Sequence, residues 1–474
     1  MSNRTIQKFS PITNEVLYEV PVACKTEVEN VCTKAADAFL SWKESSLIQR
    51  KKILSQFLEI IKGNQDRIVE TIIKDTAKAY CEAVTEVIES CDIIEYYCTE
   101  EFVGIDNPIK SSLNEEMWSC KTVEIIYQPS GVFAVIKPWN YPFELSIWAI
   151  APLLLSGNSI VFKPSELSSA TGELLTELIN KTDIPEGVFN LVLGDSETGE
   201  YLVKNEQIRG ISFTGSTSTG QKIYEHGKES FPKLSLEMGG SDYAVVFDDA
   251  DLKIACPGIL WGAFSNAGQV CVATEKVLIS EKIYSDFIEK LIKGVEELEL
   301  GKDISPLISK KQLFHAMNVI DLALCNGCKL IYGGTKANKL GFENGNYLLP
   351  TIIECRNKDF LLQLPELFAP IVFVASFKED EDVIGHINKS SFNLGCSLWT
   401  EKYEKHKEFI QNLNVGMIWI NEVNLPMPQA PWLGRNKSGI GVNLSKEAVY
   451  EAMEMKVIHV DNDVEKREWW YPYK

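Results

Sequence analysis

The sequence predicts an α/β protein with two units of parallel sheet, each covered by helices, and a small additional β element. Three observations predict it. From about residue 130, short apolar runs at 132–136, 159–162, 188–193, 211–213 and 234–236 are each separated by a stretch long enough for one helix, which is the rhythm of βαβ units. The same alternation resumes at 243–247 and continues through 276–279 and 329–332 to 416–420, giving a second unit. Segments 117–127 and 456–460 read as exposed β segments, edges that a second copy of the chain would cover.

Ahead of the first unit, Leu54, Phe57, Leu58 and Ile61 are spaced i, i+3, i+4, i+7, which marks an amphipathic helix in an N-terminal helical region. Ile288, Leu291, Ile292 and Val295 form a second such stripe, and both stripes read as core packing. The 474 residues leave room for roughly three domains of about 150 residues. With 45% hydrophobic, 10% aromatic and 24% charged residues, the composition is that of an ordinary folded protein.

Charge excludes some functions. Lys and Arg number 47 against 66 Asp and Glu, a net charge of −19, and such a surface repels nucleic-acid phosphates and anionic lipid headgroups. No nucleic-acid partner and no membrane association are expected. The longest apolar stretch, 147–155, contains Pro152 and is about half the span a bilayer-crossing helix needs. The polar residues 1–11 lack the apolar run of a secretory signal, so a cytoplasmic protein is expected. The twelve cysteines then read as reduced thiols, most of them small core residues. Cys325-Asn-Gly-Cys328 has no second pair or neighbouring histidine and reads as a helix end turning at Gly327 into a short strand. The five histidines are scattered, and no metal site is expected.

In open parallel sheets, ligands bind beyond the carboxyl ends of the strands. Four such positions carry informative residues: Pro138-Trp139-Asn140-Tyr141-Pro142, Lys163-Pro164-Ser165-Glu166, Phe213-Thr214-Gly215-Ser216 running on to Gly220, and Glu237-Met238-Gly239-Gly240. The glycines at 215 and 220 are spaced as in a P-loop, but Gln221-Lys222 stands where Lys-Ser/Thr is required, and no strand is followed by G-x-G-x-x-G. What remains is a glycine turn opening a helix, whose free N–H groups suit a phosphate. Asn266-Ala267-Gly268-Gln269-Val270-Cys271 places a cysteine after a glycine turn. A nucleophilic Cys271 needs an oxyanion donor, which Asn140 supplies by type, and a base for water, which Glu237 supplies.

These segments, with Glu366-Leu367-Phe368-Ala369-Pro370, Pro431-Trp432-Leu433-Gly434 and Lys437-Ser438-Gly439-Ile440-Gly441, resemble the aldehyde dehydrogenase superfamily over essentially the whole chain, with 34 positions between Glu237 and Cys271. The resemblance implies a Rossmann-type cofactor domain from 1–111 and 130–238, an α/β catalytic domain from 239–444, and oligomerisation segments at 112–129 and 445–474 that build a homodimer or homotetramer. It implies that Cys271 attacks the aldehyde to form a thiohemiacetal, that Asn140 and the Cys271 N–H form the oxyanion hole, and that Glu237 activates the water that hydrolyses the resulting thioester. Relatives that pass the acyl group to coenzyme A usually lack this glutamate, so a free-acid product is expected.

For the cofactor, the resemblance places the phosphates near Trp139, Gly215 and Ser216, the adenosine ribose at Lys163 and Glu166, and the nicotinamide ribose at Glu366 and Phe368. Glu166 repels a 2′-phosphate, so NAD is preferred, with NADP as the alternative. Ala369 and Leu433 stand where glycine is common and are expected to tighten nearby loops. Ala149 and Asn443 stand where many relatives have a lysine and a glutamate thought to relay protons from the base, so proton release here is expected to depend on bulk water.

Tyr141, Trp148 and Trp432 match aromatic positions of the substrate tunnel, and Gln429-Ala430-Pro431-Trp432 resembles the betaine-aldehyde and aminoaldehyde branch. Aromatic faces attract ammonium groups, and Glu144 and Glu422 favour a cation if they face inward. Against this, Ser265 stands where that branch often has tryptophan. The competing readings are a hydrophobic tunnel for aliphatic or aromatic aldehydes and a semialdehyde site, succinate semialdehyde for example, for which Arg435 is the one candidate arginine. Two further readings are an esterase that uses Cys271 and Asn140 without redox chemistry, and an inactive binding protein on the same fold.

Overall fold

The computed structural model describes residues 4–112, 121–228, 230–338 and 340–472. The first of its two large sheets has six strands in the order Gly439–Ile440, Lys233–Glu237, Ile208–Thr214, Val132–Lys137, Ser159–Pro164 and Phe189–Leu191. The last five run parallel, and each contains residues of one of the five predicted runs. Gly439–Ile440 returns from late in the chain and pairs antiparallel with Lys233–Glu237, setting Gly439 opposite Glu237.

The second sheet has seven strands in the order Lys329–Tyr332, Thr351–Glu354, Ile371–Phe377, Thr274–Ser280, Asp242–Val246, Gly395–Trp399 and Met417–Ile420. The sequence reading places four of these and omits Thr351–Glu354, Ile371–Phe377 and Gly395–Trp399. The omitted strands are almost wholly buried. Their residues therefore lack the polar alternation that marks a half-exposed strand.

Helix Leu47–Lys62 buries the predicted stripe of Leu54, Phe57, Leu58 and Ile61, and Ser46 caps it by accepting from Gln49 N while the Gln49 side chain accepts from Ser46 N. Helix Tyr284–Glu296 buries Leu291 and Val295, with Ile288 and Ile292 packed against the same core. Helix Lys310–Cys325 ends in a turn at Gly327, φ +82°, and leads into Lys329–Tyr332, as the C-x-x-C segment was read. Helix Glu144–Leu155 is buried along its whole length and packs against Tyr80–Thr99 and the first sheet.

A third sheet sets Lys121–Pro129 between Ile109–Ser112 and Met453–Asp461, all antiparallel. Of the predicted segment 117–127, residues 117–120 lie outside the described residues, and the remainder is the central strand of this sheet. One of its two edges is Met453–Asp461, on which Met455, Val457 and Ile458 are exposed. Among the described residues, no helix is long and apolar enough to cross a membrane.

Candidate active site

Two cavities meet at Cys271, Asn140 and Leu145. Cys271 follows a turn in which Asn266, Ala267 and Gly268 all take left-handed backbone, φ +48°, +55° and +70°. A side chain at Gly268 would stand 2.2 Å from the carbonyl oxygen of Ala369, so the turn closes this tightly only with glycine. The Asn140 side chain donates through Nδ2 to the carbonyl of Gln269 (3.0 Å), and Asn266 Nδ2 donates to the Asn140 carbonyl (3.1 Å). The loop after Val132–Lys137 and the cysteine turn are thus hydrogen-bonded to each other. A side chain at Gly240 would stand 2.4 Å from the Cys271 carbonyl oxygen, so the chain after Glu237 packs directly on the cysteine.

Glu237 ends its strand and is buried, and neither carboxylate oxygen has a hydrogen-bond partner among the described residues. Burial pushes its pKa well above the ordinary carboxylate value, while the Lys137 ammonium pulls it down. The half-buried Cys271 thiol is also raised, by burial and then by the charges of Glu237, Asp242 and Glu366. Ala149 and Asn443 share a small cavity of ≈ 40 Å³ with Ser212, Ser235 and Glu451.

On one side of Cys271 lies a cavity of ≈ 310 Å³ lined by Tyr141, Trp148, Trp432 and Trp261. Trp148 and Trp432 meet edge to face, with ring centroids 5.0 Å apart. Trp261 stands one helical turn before Ser265, and both line this cavity. The sequence reading missed the carboxylates: Glu82, Glu86 and Glu89 come from one face of Tyr80–Thr99 and join Glu144 in the lining. Burial, first of all, raises Glu82, Glu89 and Glu144. Glu86 pairs with the fully buried Lys78 at 2.5 Å and accepts from the backbone N–H of Phe143 (2.8 Å). Lys78 Nζ also lies 3.5 Å from the centre of the Tyr141 ring, so one cation already occupies that face. Glu422 and Arg435 are exposed and do not line this cavity; Arg435 donates to Asn414 instead.

On the other side, a cavity of ≈ 480 Å³ contains Trp139, Gly215, Ser216, Glu237, Glu366 and Phe368. It shares Trp139, Gly215, Ser216 and Lys311 with a further cavity of ≈ 590 Å³ that reaches Lys163 and Glu166. Ser216 caps helix Thr217–His226 at the junction, accepting from Thr219 N. Trp139 and Phe368 meet edge to face across the cleft at 5.5 Å. The loop at Glu366–Phe368 is tied down by Gln312, which donates to the carbonyls of Leu367 and Phe368, and by Glu275, which accepts from their N–H groups. A carboxylate and lysine at one end, a helix N-terminus in the middle and a second carboxylate at the other suit a dinucleotide: ribose, diphosphate, ribose.

Comparison with known proteins identifies the family. The family model described as "Aldehyde dehydrogenase family" matches residues 1–458. A D-glyceraldehyde dehydrogenase (NADP(+)) of Picrophilus torridus is 32% identical over 469 residues, 97% of this chain and 94% of the relative. The crystal structure of betaine aldehyde dehydrogenase from Staphylococcus aureus in complex with NAD+ superposes with a TM-score of 0.92 at 28% identity, covering 98% of this chain and 93% of that one. A putative aldehyde dehydrogenase from Burkholderia cenocepacia gives a TM-score of 0.94 at 26% identity, covering 98% and 96%. The chain belongs to the aldehyde dehydrogenase family and is an NAD(P)-dependent enzyme that acts on aldehydes.

Proposed function

We propose that this enzyme oxidises a cationic aldehyde, an aminoaldehyde or a betaine aldehyde, to the free acid with NAD as the preferred cofactor. The observation that carries the reading is the position of Cys271 and Asn140 where an aromatic, carboxylate-lined cavity meets the cleft that contains Glu237. The Cys271 thiol gives up its proton to solvent and its sulfur adds to the aldehyde carbon, while the carbonyl oxygen takes up the developing charge beside the Asn140 amide and the Cys271 N–H. When bound, NAD(P) supplies the hydride acceptor for this intermediate. The thioester left on Cys271 is hydrolysed by water: Glu237 takes the water proton as its oxygen bonds to the acyl carbon, the carbon–sulfur bond breaks, and the carboxylic acid leaves.

Trp139, Gly215 and Ser216 hold the diphosphate, Lys163 and Glu166 the adenosine ribose, and Glu366 and Phe368 the nicotinamide ribose. Glu166 supports NAD, because its carboxylate accepts from a free 2′-hydroxyl and repels a 2′-phosphate. The carboxylates of Glu82, Glu89 and Glu144 support a cationic substrate, since Lys78 is the one ammonium among the described residues set against them. The P. torridus relative favours a second reading, a neutral hydroxyaldehyde such as glyceraldehyde. The exposed Met453–Asp461 edge supports assembly into a homodimer or homotetramer, which light scattering in solution tests.

The functional test is NADH formation over aminoaldehydes, hydroxyaldehydes, aliphatic and aromatic aldehydes and carboxylated semialdehydes, with Cys271→Ala as control. Activity highest on the cationic members and lost in the control is the expected result. A preference for neutral aldehydes discards the cationic substrate and keeps the reaction.

A further inference from the structure

Lys137 is the last residue of strand Val132–Lys137 and is almost completely buried. Its neighbours follow from the register. Val135 pairs with Ser212, and Thr214 pairs with Glu237, so Lys137, Thr214 and Glu237 stand in one row across three adjacent strands, at their carboxyl ends and on one face. The hydrogen bonds agree: Lys137 Nζ donates to Thr214 Oγ1 at 2.9 Å and to Ser212 Oγ at 3.1 Å. Both acceptors are neutral. The one carboxylate whose charge acts on this ammonium is Glu237, which lies beyond ion-pair contact and has no hydrogen-bond partner among the described residues.

We propose that Lys137 is a positioning residue for Glu237: its ammonium, held by the hydroxyls of Ser212 and Thr214, keeps the Glu237 carboxylate ionised and so sets the pH range in which the thioester is hydrolysed. This rests on the reading of Glu237 as the base that activates water. A lysine in this place is costly to bury, and two hydroxyls do not neutralise it. The adjacent carboxylate does, and each group favours the charged form of the other. Burial lowers Lys137 to about 7 and raises Glu237 above the ordinary carboxylate value, so burial disfavours the charged form of both groups and each depends on the other to keep it. The other titratable groups facing Glu237 are the Cys271 thiol and Glu451 on Ser445–Glu451; both add negative charge when ionised and oppose its ionisation. Lys137 is the cation that offsets them. Ser212 also borders the small cavity of ≈ 40 Å³ shared with Asn443 and Glu451, which has room for a water molecule beside this row.

The test uses the pH profile of p-nitrophenyl acetate hydrolysis without nicotinamide, which requires deacylation of Cys271, beside the same profile for aldehyde oxidation. In Lys137→Met, the acid limb of both profiles moves up by about one pH unit, with about a tenfold loss of turnover below the limb, and Lys137→Arg restores the position of the limb. In Glu237→Gln, the slow residual deacylation of the trapped acyl protein shows no such limb, and adding Lys137→Met to it produces no further shift. If the limb survives in Glu237→Gln, the reading of Glu237 as the base fails, and this proposal fails with it. If Glu237→Gln removes the limb but Lys137→Met lowers only the melting temperature and leaves the limb in place, Lys137 is a structural residue and this proposal alone is overturned. Should Lys137→Met not fold, Thr214→Val removes one of the two hydroxyls that hold the ammonium; the limb then moves in the same direction, and an unmoved limb overturns the proposal.

Discussion

The Asn140 side chain donates to the backbone carbonyl of Gln269, two residues before Cys271, across 3.0 Å. One of its two amide hydrogens is thereby fixed, and Asn140 lines both cavities that meet at Cys271. Asn140→Ala is expected to lower kcat/KM by about 10²–10³-fold, the range for loss of one oxyanion donor. Thiol-specific labelling of Cys271 and the melting temperature, measured on the same protein, should change little. Loss of folding comparable to the loss of activity would make Asn140 a structural residue instead.

The buried pair of Lys78 and Glu86 is expected to carry stability as well as shape the tunnel. Lys78→Met leaves Glu86 without its cation in a site that has 0% side-chain exposure on both partners. The loss is about 3–5 kcal/mol in a denaturant titration. A loss below about 1 kcal/mol would show that the pair carries little net stability.

Burial raises Glu82, Glu89 and Glu144, so each is neutral at pH values where an exposed carboxylate is already ionised. As pH rises through these raised values the tunnel gains negative charge, and KM for a cationic aldehyde falls. A neutral aldehyde of the same length should show no such trend. KM measured for both between acid and neutral pH separates the cases, and parallel curves count against the cationic substrate.

Glu166 borders the far end of the cleft beside Lys163. Replacing its carboxylate in Glu166→Gln removes the repulsion of a 2′-phosphate and leaves the lysine to attract it. The ratio of kcat/KM for NADP to that for NAD should rise by roughly tenfold. An unchanged ratio would place the discrimination elsewhere.

Much of this site is legible in the sequence because parallel sheets put ligand-binding residues directly after their strands. Trp139, Asn140, Glu166, Ser216 and Glu237 lie at or just beyond strand ends, and the structure gathers them in one connected cleft. Lys137 lies one residue before such a loop, where a lysine ordinarily reads as a solvated strand end; only the register with Thr214 and Glu237 reveals its burial. Glu82, Glu86 and Glu89 have the spacing of a solvent-facing helical stripe. Their inward direction depends on the docking of Tyr80–Thr99 against Glu144–Leu155, a contact between segments about 60 residues apart that no local pattern encodes. Lys78 was hidden for the same reason.

The intact mass of Glu237→Gln after mixing with NAD and a reactive aldehyde tests the covalent step most directly. The predicted result is a single burst of NADH and a protein heavier by the mass of the aldehyde less two hydrogens, with the added mass on Cys271 and absent in Cys271→Ala. Steady turnover in Glu237→Gln with no acyl protein, or an adduct that maps to a residue other than Cys271, contradicts it.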